Sequence, residues 1–188
     1  MADFKLEVIK NKDAWYEVII KATTGMISLT KEFRVYKTVP RITFIYKITT
    51  THQEHNIEVE IESNTNISCL QENNIWFEIN GCIKKISGIT EVSRVQSLKI
   101  FNRADNIVQT IRIEPEQNRL VIHPRYSVSQ GLRLFEITLQ YIRYSFIVPL
   151  CIMQDTPGKI IISHSLDSHA REEEEDEWIK GQYEIGGC

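Results

Sequence analysis

The sequence predicts an all-β protein built as an antiparallel β-sandwich. Three observations carry that expectation. Apolar residues recur at every second position along most of the 188 residues, turn-forming clusters fall every eight to twelve residues, and no convincing amphipathic helix exceeds two turns.

The strands follow in order. "AWYEVIIKATT" (14–24) is rich in aromatic and β-branched residues, and "EFRVYKTV" (32–39) alternates Phe33 and Val35 with Arg34 and Lys37. "RITFIYKITT" (41–50) sets Ile42, Phe44, Tyr46 and Ile48 on one face. "NIEVEIES" (56–63) sets Ile57, Val59 and Ile61 against three glutamates, the mark of a half-wetted strand. "IWFEINGCIKKI" (75–86) reads as a hairpin, because Asn80-Gly81 tolerates the positive φ of a two-residue turn. "SGITEVS" (87–93) reads as a junction. After it come short strands in "QSLKIFN", "NIVQTIRIE", "NRLVIHP", "LRLFEITLQY", "YSFIVPLCIM" and "GKIIISHS".

The strongest pair expected is a hairpin turning at Ile142-Arg143. One arm presents Phe135, Ile137, Leu139 and Tyr141, the other Tyr144, Phe146, Val148, Leu150 and Ile152. Pro149 lacks a ladder donor, which places its strand at an edge or at a bulge. The chain divides on this reading into an N-terminal sandwich unit (1–90), a C-terminal unit (91–166) and an acidic tail (167–188). One larger sandwich using all strands is the alternative.

Bulk properties narrow the function. The net charge of −3 conceals a near-neutral body, since "REEEEDE" (171–177) holds six acidic residues. That balance disfavours nucleic acid as a partner. No long apolar run or leader-like N-terminus occurs, and the four cysteines are scattered, so the expectation is a cytoplasmic chain with reduced thiols. His52 and His55 in "THQEHN" lack companions for a metal site, and His123, His164 and His169 read as ordinary positions. No nucleophile elbow, phosphate loop or HExxH motif is present. The expectation is therefore no enzyme, no cofactor and no metal.

Residues 95–152 nevertheless follow a known order. A strand ends in an Asn-rich turn ("SLKIFNRADN"), a later one ends in Pro ("RLVIHP"), and a loop closing on Gly leads into alternating strands ("SVSQGLRLFEITLQY"). This resembles the immunoglobulin-like module of the ASH and major sperm protein domains. The usual Pro-Gly before the penultimate strand is Gln130-Gly131 here. The resemblance implies a non-enzymatic scaffold or adaptor in a centrosomal, ciliary or cytoskeletal assembly. Its partner would be a protein, taken up along a strand edge or as an acidic peptide on a basic surface. Arg112, Arg119, Arg125 and Arg133 are the candidate contacts, and self-association is a further outcome. A rival reading is a viral matrix or capsid-type structural protein. A third, ranked below both, is a hydrolytic or carbohydrate-active enzyme on a sandwich.

The hairpin assignment makes a direct prediction. Replacing Phe135 or Leu139 by Ala should cost about 2–5 kcal/mol in chemical denaturation, and replacing Glu136 or Gln140 less than about 0.5 kcal/mol. Equal tolerance of the two pairs would disprove the facing.

Overall fold

A computed structural model describes residues 3–51, 54–66, 75–102, 107–132, 135–154 and 156–168. All regular structure among them is β and every pairing between strands is antiparallel, as the alternation predicts. Among the described residues thirteen strands form two sheets. The larger runs in the order β1 (Asp3–Asn11), β2 (Trp15–Thr24), β3 (Ile27–Tyr36), β4 (Arg41–Thr50), β13 (Gly158–Ser168), β10 (Ile107–Glu114), β9 (Ser97–Asn102), β6 (Ile75–Ile79), β7 (Cys82–Lys84). The smaller runs β5 (Glu54–Asn66), β12 (Phe135–Met153), β11 (Arg119–Leu132), β8 (Thr90–Ser93).

The core lies between the sheets and is assembled by period-2 alternation. From the large sheet come Phe77, Leu98, Ile100, Ile111, Ile113, Ile160 and Ile162, and from the small sheet Ile61, Leu120, Ile122, Ile142, Tyr144, Phe146 and Val148. Burying each large side chain contributes roughly 1.5–3 kcal/mol. Asn118 ties the layers at one end. Buried to 4% exposure, it accepts from the Val95 amide at 3.1 Å and donates to the carbonyls of Val95 at 2.8 Å and Pro115 at 2.7 Å.

Several local expectations meet the structure directly. Asn80 (φ 51°) and Gly81 (φ 84°) both adopt the left-handed region and join β6 to β7. Pro149 pairs with Glu58 of β5. β12 is not the edge strand expected, since it lies between β5 and β11, but its pairing with β11 stops at Arg119 opposite Ile147, so the missing donor falls where β5 is its one described neighbour.

Other expectations are corrected. The boundary near residue 90 does not divide the sheets: β4 pairs with β13 and β5 with β12, so strands from both halves build one sandwich around one core. "SGITEVS" is not a junction, for its Thr90–Ser93 form β8, the edge partner of β11. No hairpin turns at Ile142-Arg143. β12 runs unbroken through it for 19 residues, because long β5 and β11 on either side supply ladder partners across that dipeptide. Continuous alternation then buries Ile142 completely and leaves Tyr141 half-buried. β11 likewise does not end at Pro124 but passes it with a register shift between His123 and Tyr126. The side chains of residues 125–140, Phe135 and Leu139 included, lie outside the description, as do residues 169–188 of the acidic tail, whose first two residues, Asp167 and Ser168, instead end β13.

Ile122 is fully buried at the centre of the small sheet. Ile122→Ala should therefore cost about 2–5 kcal/mol in urea denaturation with the slope unchanged; a cost under about 1 kcal/mol would show that the core is not shared as described.

Candidate functional site

The inward positions of neighbouring strands change character toward one end of the sandwich. In β5 the inward series runs Ile61, Ser63, Thr65. In β9 it runs Leu98, Ile100, Asn102, in β10 Ile113, Ile111, Gln109, and in β13 Ile160, Ile162, His164. The pairings Ile111↔His164, Gln109↔Ile100, Asn102↔Ile107 and Ser63↔Tyr144 bring these ends together.

They line a cleft of about 750 Å³, within the usual size range of small-molecule sites. Its walls are Ser63, Thr65, Asn64 and Tyr144 from the small sheet, and Ile100, Asn102, Ile107, Gln109, His164 and Leu166 from the large one. Tyr36 at the end of β3, Val39 and Pro40 in the connection, and Arg41, Ile42 and Phe44 of β4 close the side.

One hydrogen-bonded network spans the two sheets. Thr65 Oγ1 donates to Gln109 Oε1 at 2.7 Å, which fixes the amide orientation. Gln109 Nε2 then donates to the Tyr144 hydroxyl at 3.3 Å and faces His164 Nδ1 at 3.5 Å. Burial pushes the His164 imidazole down to about 4, so at neutral pH the ring is uncharged. With Nδ1 turned to an amide donor, its proton belongs on Nε2. The Phe44 ring meets the imidazole edge-on, centroids 5.3 Å apart. Burial also raises Tyr144 to about 12, against the opposing pull of hydrogen bonds with Thr65, Ser63 and Gln109. The site thus offers neutral donors and acceptors beside aromatic and aliphatic walls. No Asp or Glu is among its described lining residues.

The arginines singled out from sequence lie elsewhere. Arg112 is exposed on the outer face of the large sheet. Arg119, on the outer face of the small sheet, pairs with Glu58 at 3.1 Å and Glu91 at 3.2 Å. Arg125 falls at the β11 register shift with its side chain outside the description, and Arg133 lies outside the described residues. Arg112 and Arg119 therefore face away from each other. His164, Gln109, Tyr144 and Thr65 were overlooked as a group. Their common signal is a polar residue in the core-facing phase of its strand, detectable only once the phases of four strands are set side by side.

Among solved structures the chain is similar to an Escherichia coli K12 protein named as an aldose 1-epimerase (TM-score 0.60, 7% identity, 88% of this chain and 69% of that chain). A galactose mutarotase related enzyme from Lactobacillus acidophilus is similar at TM-score 0.57 and 9% identity, over 90% of this chain and 73% of that one. A heparan sulfate lyase mutant from Pedobacter heparinus is similar at TM-score 0.54 and 7% identity, over 90% of this chain but 22% of the lyase. No family model and no curated protein matches the sequence.

These likenesses correct the assignment to the ASH and major sperm protein domains: the sandwich is similar in fold to the epimerase and mutarotase structures. The scaffold or adaptor role and its centrosomal and ciliary setting lose their support with it, and the neighbours give none to the viral alternative. The expectation of no enzyme rested on missing linear motifs, and the fold is one that solved enzymes share. Linear motifs could not decide the matter, because the groups that line this cleft come from separate strands.

The neutral His164 has a pH signature. Its folded value near 4 lies below the unfolded 6.5, so the unfolded chain binds the proton more readily between those values. The stability contribution is complete above about pH 6.5 and is lost as pH falls toward 4, a change on the order of 3 kcal/mol. Urea midpoints measured against pH should show this slope in the native chain and lose that part of it in His164→Gln; an identical slope in both would place the imidazole in water.

Proposed function

We propose that the protein handles carbohydrate, holding a sugar in the cleft between β5, β12 and the large sheet. The observation that carries this reading is the lining itself. Uncharged amide, hydroxyl and imidazole groups stand beside the Phe44 and Tyr36 rings, the combination that suits a ligand with hydroxyls around its rim and C–H groups on its faces. The fold, shared with structures named for aldose epimerisation and galactose mutarotation, supports the same class of ligand.

Within that class, the cleft is suited to opening and reclosing an aldose ring. The reaction removes the proton of the anomeric hydroxyl and delivers one to the ring oxygen, so it needs groups that pass protons without net change. The Tyr144 hydroxyl can do both in one step, its oxygen taking the anomeric proton as its own proton passes to the ring oxygen, while Gln109 and the uncharged His164 beside it hold that hydroxyl in place.

Calorimetric titration with glucose and galactose tests the binding, and polarimetry of freshly dissolved α-anomers tests the chemistry. The expected result is saturable binding, weakened at least tenfold in Gln109→Ala through loss of the shared network, and anomer interconversion faster than in buffer and slowed in His164→Gln. Absence of binding by any aldose would overturn the reading. Binding without acceleration would retain the ligand class and remove the chemistry.

A further inference from the structure

We infer that the sugar taken by this cleft carries an anionic substituent, a carboxylate or a phosphate, that Arg41 receives; this rests on the carbohydrate reading above. The geometry around Arg41 is the starting point. Pro40 is anchored to the large sheet, its carbonyl accepting from the Leu166 amide at 3.0 Å, and this fixes the chain where it enters β4. Arg41 follows at the cleft wall with its guanidinium 5.8 Å from the centre of the Tyr36 ring. Stacking on an aromatic face leaves the in-plane N–H donors of a guanidinium available, and those donors match a carboxylate or phosphate in bidentate fashion.

The distribution of opposite charge points the same way. The acidic side chains of the described ion pairs turn outward. Glu17 and Glu32 meet Arg34, with Glu32 also meeting Lys47, and Glu78 meets Lys99 on the outer face of the large sheet. Glu58, Glu91 and Glu62 meet Arg119 and Arg143 on the small sheet. Among the described lining residues of the cleft, Arg41 is the one formally charged residue, and its recorded contact is with a neutral ring.

A second cation stands behind the same wall. Lys31 Nζ lies 5.3 Å from the centre of the Phe44 ring, 4.8 Å from Phe33 and 5.1 Å from Tyr46, on the inward side of β3. Lys31 thus adds a positive charge behind the Phe44 wall, and the cleft offers neutral hydrogen-bonding groups for the sugar hydroxyls and one available fork for an anion.

The experiment compares glucose, glucuronate, glucose 6-phosphate and inorganic phosphate by calorimetric titration of the full chain at low salt, with Arg41→Gln beside the native protein. The expected result is a preference of about tenfold or more for at least one anionic sugar over glucose, falling with added salt and collapsing toward unity in the variant. Comparison of the carboxylate and phosphate arms identifies the anion. Equal affinity for glucose and both anionic sugars, or a preference that survives in Arg41→Gln, would overturn the inference while leaving the carbohydrate reading in place. Inorganic phosphate binding as tightly as the sugar phosphate would reduce the site to an anion site and overturn it too. Failure of every sugar to bind would overturn both readings. Circular dichroism of the variant, unchanged from the native protein, confirms that the comparison concerns folded chains.

Discussion

Two antiparallel sheets of unequal width, nine strands against four, must bury the one set of faces they share, and the remainder of the molecule follows from that mismatch. In a strand the side-chain period is two, so the phase that places Ile111, Ile162 and Phe146 inside also commits every second residue along the rest of the strand to the same side. Where the layers meet, those residues are aliphatic or aromatic and exclude water. Toward the end where the cleft opens, the same phase carries Thr65, Asn102, Gln109 and His164.

Polar groups in an inward phase are costly unless they satisfy one another. Here they do. The Thr65 hydroxyl orients the Gln109 amide, and the amide reaches both Tyr144 and His164. The network also explains why the imidazole stays neutral: burial removes the water that would stabilise its charge, and no described carboxylate lines the cleft to replace that water. A preorganised, uncharged set of donors and acceptors is thus a direct product of how the sheets close.

The resemblance to another sandwich module arose from the same physics. Asparagines between alternating runs, a proline within a strand and a glycine farther along are devices that many antiparallel folds use to turn, bulge or relax a strand. They report local backbone needs and are silent about which strand lies beside which. The nearest example is Ile142-Arg143. Read alone, the dipeptide between two alternating runs suggests a turn. Flanked by long β5 and β11, it continues the ladder, and the interior phase passes through Ile142 without interruption.

The all-β class, the Asn80-Gly81 turn and the alternation through Ile42 to Ile48 were legible in the sequence because each depends on residues adjacent along the chain. The pairing of β4 with β13 and of β5 with β12, the merging of both halves around one core, and the convergence of His164, Gln109, Tyr144, Thr65 and Arg41 were decided by the tertiary structure alone. Those partners are separated by tens of residues, and every strand that alternates offers the same ladder groups to any neighbour. Only the joint burial of all the interior phases selects one arrangement, and the cleft exists only in that arrangement.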